Sequence, residues 1–315
     1  MTALVTGAAG FIGSTLVDHL LAAGTAVVGV DNFSPYYERT RKEANLQPAR
    51  THDTFRFVEA DLRSDPLDDL LDGVDVIYHL AAQPGVRLSW SGFAEYDSAN
   101  VLATQRLLEL VHGRAQAGEE IRLVFASSSS VYGNAPSYPT SEQDQLRPFS
   151  PYAVTKVAAE HLCRAYTANF GLDAVLLRYF TVYGPRQRPD MAMARLVAAA
   201  HGGTAFPLFG DGSHVRDFTY VDDVVRATIA AGTVDLPAGT TVNVAGGAST
   251  TMADLIDLVG ELAGAPVPID RRPPSAGDVD RTGGAIDRAR ELLDWKPLVD
   301  VRTGLAAQLA AHPAP

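Results

Sequence analysis

The sequence has one cysteine, Cys163, in 315 residues. No internal disulfide framework can form, and no Cys-rich zinc module. Lysine is almost missing as well: Lys42, Lys156 and Lys296 are the only three. Positive charge is in deficit overall. Lys+Arg total 26 against 37 Asp+Glu, a formal net charge of −11 at pH 7, and the sequence pI is ≈ 5.1. That balance argues against a large basic face for nucleic acid or an anionic membrane. No apolar run reaches the roughly 18 residues that cross a bilayer. The N-terminus lacks a basic segment ahead of an apolar core, so no signal peptide is expected. The expectation is a reduced, cytoplasmic, soluble protein. What is present is a globular balance, 46% hydrophobic and 20% charged. At about 150 residues per domain, the length suits one large domain or two modest ones, with a core that needs no disulfide or metal.

Residues 2–6 are apolar and β-branched. Gly7, Gly10 and Gly13 follow, then an amphipathic stretch over 11–23 and a second strand over 26–30, ending at Asp31. This is strand, tight turn, helix, strand. Strands are predicted over 55–59, 74–79, 122–126 and 174–179, and helices over 100–113 and 153–170. Such alternation implies an α/β fold, a parallel sheet with helices on both faces. Near residue 184 the texture changes, as Pro and Gly become frequent and segments shorten. Helices over 191–201, 221–232 and 252–264 and strands over 205–209 and 241–244 are predicted there, as a smaller lobe partly interleaved with the first domain. Residues 32–52 and the stretch after Arg271 read as polar connections, and 312–315 as a frayed tail.

Two constellations carry chemistry. In Gly7-x-x-Gly10-x-x-Gly13, glycine permits a tight turn and lets backbone N–H groups approach a diphosphate, whose charge the helix N-terminus favours. Phe11 and Ile12 complete that turn. Asp31 lies eighteen residues past Gly13, where it accepts from the adenosine ribose of a dinucleotide. A carboxylate there repels a 2′-phosphate, and no Arg occupies 32–38, which favours NAD over NADP. Asp61 and Leu62 follow the third strand and could meet the adenine. The second constellation is Tyr152-x-x-x-Lys156, which places both side chains on one helical face. An ammonium beside the phenol lowers its pKa, and such a Tyr removes an alcohol proton while a hydride leaves the same carbon. Ser128, twenty-four residues upstream in a four-serine run, can hold the substrate oxygen.

With these motifs stand GAAGFIG (7–13), HLAAQPGVR (79–87), SSSSVYG (127–133), SPYAVTK (150–156), RYFTVYGPRQRPDMA (178–192), RDFTYVDDV (216–224) and GDV (277–279). Over about 2–297 the chain resembles the extended short-chain dehydrogenase/reductases, the sugar-nucleotide epimerases and dehydratases. Within them TVYGPRQRPDMA and GVR are most similar to the UDP-glucuronate 4-epimerases. Galactose-type 4-epimerases usually carry Asn where Thr181 stands. The dehydratases carry an Asp-Glu pair where Ser129 and Ser130 stand, and the decarboxylases a Glu at the place of Ser130.

The resemblance implies a Rossmann-type doubly wound sheet over 1–183, with later segments interleaved, and a nucleotide-sugar lobe mainly over 184–315. It implies tightly held NAD, a UDP-sugar substrate and a homodimer, which the helix over 153–170 could serve. Tyr152 would be general base and acid, Lys156 its partner and a ribose ligand, and Ser128 the group orienting the sugar O4. Asn32, Leu80, Ala81, Ala82, Asn100 and Tyr179 join the NAD site. Ser129, Ser130 and Thr181 lie by the sugar. Arg87 and Arg188 are candidates for the substrate carboxylate, with Arg186 a third. Arg216 and Asp278 hold the diphosphate and uridine ribose, with Arg272 or Arg281 as a further basic contact. For Arg188 the alternative is a pairing only with Asp190 or the diphosphate. The implied reaction is C4 epimerisation of UDP-glucuronate. UDP-glucose/UDP-galactose 4-epimerisation is the alternative, and decarboxylation to a pentose nucleotide a third. No metal is expected. His79 and Cys163 read as core residues, and Asp222-Asp223 as a helix N-terminus.

Overall fold

A computed structural model describes residues 1–274 and 277–312; Ser275, Ala276 and most of the tail at 312–315 lie outside them. The first half alternates β1 (Thr2–Thr6), α1 (Phe11–Ala22), β2 (Ala26–Asp31), α2 (Arg39–Leu46), β3 (Phe55–Glu59) and β4 (Val76–His79). A short α3 (Phe93–Asp97) runs through a π turn (Ser98–Leu102) into α4 (Ala103–Gln116). Then come β5 (Arg122–Ser128), α5 (Pro151–Phe170), β6 (Ala174–Tyr179) and β7 (Val182–Tyr183). The second half contains α6 (Ala192–Ala200), β8 (Phe206–Phe209), β9 (Val215–Asp217), β10 (Thr219–Tyr220) and α7 (Val221–Thr233). It ends with β11 (Thr241–Val244), β12 (Ser249–Thr251), α8 (Met252–Ala263), β13 (Ile269–Arg272), α9 (Asp287–Leu293) and α10 (Val301–Ala311).

Seven strands form one parallel sheet in the order β11-β6-β5-β4-β1-β2-β3. The period-2 pleat of these apolar strands feeds two cores, one on each face. Ala3, Val5, Tyr78, Val124 and Val175 face α1 and α7. Leu4, Ile77, Leu123, Phe125 and Leu176 face α4 and α5. Helices therefore cover both faces, the α/β arrangement the alternation implied. Residues past 184 also build two two-stranded pairs, β8 with β13 and β9 with β12, and β10 pairs with β7, which lies just before them. Yet α7 packs on the large sheet, and β11 joins its edge beside β6.

Two stretches differ from the sequence reading. Within 32–52 lies α2, which buries only Leu46 and Lys42 and so shows little apolar periodicity. After Arg271 come α9 and α10. Helix α10 is Ala-rich and carries Gly304, which looks like a breaker. Gly304 is instead a contact: a Cβ there would lie 2.2 Å from the Tyr183 hydroxyl oxygen. The core expectations for His79 and Cys163 hold. His79 is buried between Thr6 Oγ1 at 2.8 Å and Thr104 Oγ1 at 3.0 Å, and burial with the Lys156 charge pushes it down to about 3. Burial pushes the Cys163 thiol up to about 12. Asp222 and Asp223 do sit in the first turn of α7. Asp223 Oδ2 also accepts the backbone N–H groups of Leu298 and Val299, each at 3.0 Å, tying the end of the chain to that helix.

Candidate active site

Because the sheet is parallel, its carboxyl ends share one edge, where ligands of open α/β sheets bind. Gly7, Asp31, Asp61, Leu80, Ser128 and Tyr179 all end or follow a strand there. At Gly7 φ is +71°, and a Cβ would stand 2.9 Å from the Ala81 nitrogen. At Gly13 a Cβ would stand 2.1 Å from the Gly7 carbonyl oxygen. Both positions require glycine. No side chain caps α1 at Gly10, so its first N–H groups are free for an anion. One cleft begins at Gly7, Gly10, Phe11, Ile12 and Gly13. It passes Asp31, Asn32, Asp61 and Leu62, then Leu80, Ala81 and Ala82. It ends at Tyr152, Lys156, Tyr179 and Arg188. A glycine cradle at one end and a Tyr/Lys pair at the other suit a dinucleotide.

Asp31 is buried and accepts from the backbone of Phe33 at 2.8 Å and Ala9 at 3.2 Å. Asp61 is gripped by Arg63 at 2.7 Å and by Asn32 at 3.1 Å, and the Arg63 hydrogen bond holds its pKa down to about 2. Asn100 stands behind the cleft. Its amide oxygen accepts from Gln83 N at 2.7 Å, and its Nδ2 donates to Thr155 Oγ1 at 2.9 Å. The π turn that carries it is the sort of helix irregularity that marks functional sites.

Helix α5 starts sharply. Ser150 Oγ accepts from Ala153 N at 3.2 Å, and Pro151 takes the first turn. Tyr152 and Lys156 follow one turn apart. Lys156 is buried, its Nζ 4.6 Å from the Phe125 ring centre. Burial pushes it down to about 8, against the opposing charge of Glu160. Burial raises Tyr152, while the neighbouring Ser128 hydroxyl and the Arg188 charge pull it back. Ser128 Oγ accepts from Ser130 N at 3.2 Å and sits 2.9 Å from Ser130 Oγ. Ser129 and Ser130 open a 3-10 turn beside it. Beneath them Ser127 donates to Glu160 at 2.6 Å, and Arg178 grips Glu160 with two bonds of 2.9 and 2.7 Å.

The remaining arginines divide. Arg188 lines the cleft and binds Asp190 through Nε at 3.0 Å and Nη2 at 3.1 Å. Arg186 pairs with Asp18 of α1 at 2.8 Å, and neither residue lines that cleft. Arg87 reaches across to Asp278 at 3.2 Å and lies 3.8 Å over the Phe209 ring. Arg216 Nη1 donates to Val215 O at 2.9 Å, and burial lowers its pKa against the charges of Asp278 and Asp280. Arg272 pairs with Asp270 at 2.7 Å, 6.0 Å from Phe209, whereas Arg281 stacks on Tyr138. Thr181, just past β6, accepts from Thr219 N at 3.0 Å through its carbonyl.

Sequence reasoning missed several groups. Burial and the charges of Arg87 and Arg272 hold Arg195 of α6 below the usual arginine range, so three cations crowd one place. Nothing local in MARLV announces that. Lys42 also lines the cleft, and its rarity was the available signal. Glu160, one turn past Lys156 on the same helix face, was legible from its i+4 spacing. Among the described residues, no group of three or more His, Cys, Asp or Glu is placed to hold a metal.

The chain is similar to several known proteins over nearly its whole length. The chain is similar to the Bacillus cereus UDP-glucuronic acid 4-epimerase crystallised with UDP-glucuronic acid and NAD, with TM-score 0.94 and 40% identity, covering 99% of this chain and 98% of that one. It is similar to MoeE5, solved with UDP-glucose and NAD, with TM-score 0.88 and 42% identity over 99% of this chain and 98% of that one; MoeE5 has also been solved with UDP-glucuronic acid. It is 41% identical to the UDP-glucose 4-epimerase of Mycolicibacterium smegmatis over 97% of this chain and 96% of that one. Residues 3–245 match the family model described as NAD dependent epimerase/dehydratase family, most of the chain, and the protein belongs to that family.

Proposed function

We propose that this protein is a UDP-sugar 4-epimerase that interconverts UDP-glucuronate and UDP-galacturonate. The observation that carries the reading is Arg188, a cation in the same cleft as Tyr152 and close enough to lower its pKa. A guanidinium beside the reacting hydroxyl suits a sugar that bears a carboxylate.

NAD, when bound, supplies a reversible acceptor for the C4 hydride. Tyr152 takes the O4 proton, Lys156 stabilises the phenolate by its charge, and Ser128 holds O4. The resulting 4-keto sugar turns over and presents its other face, C4 takes its hydride back on that face, and Tyr152 returns the proton to O4. The intermediate is a β-keto acid, so its carboxylate must be held with the C5–C6 bond out of line with the carbonyl π system. Ser129, Ser130, Thr181 and Arg188 do this. Arg87, Arg195 and Arg216 bind the diphosphate, and Asp278 the uridine ribose. Gly7 to Gly13, Asp31, Asn32, Asp61, Leu62, Leu80 to Ala82, Asn100 and Tyr179 serve NAD, Asn100 by fixing Gln83 and Thr155. The sheet carries the dinucleotide and the lobe mainly over 184–315 the nucleotide sugar. Exposed Leu102, Val154 and Phe170 on or beside α4 and α5 support a homodimer through those helices. No described helix is long and apolar enough to cross a membrane, and the lone cysteine is buried and free; both support a cytoplasmic protein.

The M. smegmatis relative and the UDP-glucose complex of MoeE5 support a second reading, a UDP-glucose/UDP-galactose 4-epimerase. Incubation with UDP-glucuronate and no added NAD, followed by proton NMR, separates the two. UDP-galacturonate is the expected product. Conversion of UDP-glucose alone would select the second reading, and a pentose nucleotide would select decarboxylation. Tyr152→Phe should lower turnover by about 10²- to 10⁴-fold while leaving bound NAD in place.

A further inference from the structure

Arg188 does not stand alone at the cleft. Its partner Asp190 also accepts a hydrogen bond from Tyr36 Oη, 3.2 Å from Oδ2. The Arg188 guanidinium lies 5.5 Å from the centre of the Tyr36 ring. The same Tyr36 hydroxyl abuts Gly85, where a Cβ would lie 2.4 Å away. Three segments distant in sequence thus meet beside the cleft: the β2–α2 loop, the loop after β4 and the loop before α6. Burial and Asp190 push Tyr36 up to about 12, so its hydroxyl stays a donor at neutral pH.

A guanidinium has five N–H donors. Asp190 takes one on Nε and one on Nη2. Three remain, both on Nη1 and one on Nη2. Asp190 therefore fixes which edge of Arg188 is spent on the protein and which is left over, and Tyr36 in turn fixes Asp190. An unpartnered guanidinium would turn about its side-chain torsions and meet a ligand in several geometries.

We propose that Tyr36 and Asp190 are positioning residues that present the free N–H edge of Arg188 to the C6 carboxylate of the substrate, and so favour acidic over neutral sugars. This rests on the 4-epimerase reading above and deepens it. The consequence extends to product. When the carboxylate is loosely held in the 4-keto sugar, the C5–C6 bond can break. Its electron pair passes into the C4 carbonyl as an enolate, CO₂ leaves, and C5 later takes a proton from solvent. A correctly aimed Arg188 suppresses that route by keeping the breaking bond out of line with the carbonyl.

The test uses the full chain, purified with its own NAD, as wild type, Tyr36→Phe and Asp190→Asn. UDP-glucuronate and UDP-glucose are compared, and products are resolved by proton NMR. The expected result is a rise in KM for UDP-glucuronate of about tenfold and a larger decarboxylated fraction, with UDP-glucose kinetics unchanged. If UDP-glucose is not turned over, the affinity for UDP is the neutral reference. Equal changes with both ligands would make the cluster a general strap of the fold and overturn the proposal, as would no change at all. Wild type that leaves UDP-glucuronate unconverted removes the UDP-glucuronate 4-epimerase reading and the role of the clasp with it. Active wild type with indifferent variants removes the clasp alone. Both substitutions keep side-chain shape, and a thermal melt of each variant checks that the fold is retained.

Discussion

The ammonium of Lys42 lies 3.7 Å from Asp31 Oδ1, with both side chains buried. The carboxylate that ends β2 and lines the cleft therefore has a cation beside it, held in place by a bond from Nζ to Ser34 O at 3.1 Å. Burial lowers the Lys42 pKa and Asp31 opposes that. Asp31→Ala would remove the ribose acceptor and leave the ammonium unpaired. A 2′-phosphate would then meet attraction in place of repulsion. NAD should bind about 10- to 100-fold more weakly, from about 1.5–3 kcal/mol of charged hydrogen bonds. NADP should become a competitor. Titration calorimetry on cofactor-stripped protein checks both, and undiminished NAD affinity would remove Asp31 from the ribose site.

Lys156 gives separate pH trends for rate and stability. Its pKa in the folded chain is about 8, below lysine's ordinary 10.5. The ammonium, which in the proposed mechanism supports the Tyr152 phenolate, is present below that value and lost above it. The kcat/KM profile should rise with pH as Tyr152, raised by burial, ionises, and level off near about 8 as the ammonium is lost. Between about 8 and 10.5 the unfolded chain binds the proton that the folded chain has released, so this residue's contribution to stability rises with pH. Denaturant melts of wild type against Lys156→Met isolate that contribution. A rate that goes on rising about tenfold per pH unit through pH 9 would show that the ammonium is not used.

Glu160 and Arg178 form a buried pair, 2.7 Å apart with each side chain 1% exposed. Glu160→Gln should destabilise the fold by about 3–5 kcal/mol, because a buried guanidinium is left without its counter-charge. The double variant Glu160→Leu/Arg178→Met should recover most of that, since neither charge then remains buried. Equilibrium denaturation of the three proteins forms the test. A double variant as unstable as the single one would place the cost in packing instead of charge.

Gly304→Ala inverts a usual rule. Alanine in a helix interior normally stabilises by about 1 kcal/mol over glycine. Here the new Cβ would overlap Tyr183, whose hydroxyl donates to Asp300 O at 3.2 Å. Overpacking costs about 1–3 kcal/mol, so a net loss is expected. A higher melting temperature would show that Tyr183 yields easily.

What the chain disclosed about itself depended on distance along it. The turn at Gly7–Gly13, the acid at Asp31 and the Tyr152–Lys156 pair are short-range patterns, legible because helix and strand periods fix where neighbours point. Helix α2 escaped because its burial rests on Leu46 and an ion-paired lysine and not on an apolar stripe. Helix α10 escaped because Gly304 signals a breaker in sequence and a contact in space. Arg178 meets Glu160 eighteen positions away on a different element, and Tyr36 meets Asp190 across 154 positions. No local period encodes such pairings; they exist only after the sheet has set its strand order.

That order has a consequence for dissecting the molecule. Strand β11 hydrogen-bonds along β6, and α7 covers β4, β5 and β6; both come from the second half of the chain. The second half of the chain is thus threaded through the sheet of the first, not appended to it. A fragment cut after residue 183 would leave β6 as a bare edge and strip one face of the sheet down to apolar side chains such as Tyr78, Val124 and Val175. Such a fragment should clump, and the second half alone should lack the surface on which α7 lies. The two halves share one act of folding, and fragment complementation, in which both pieces are made together, is the form in which a severed chain could still assemble.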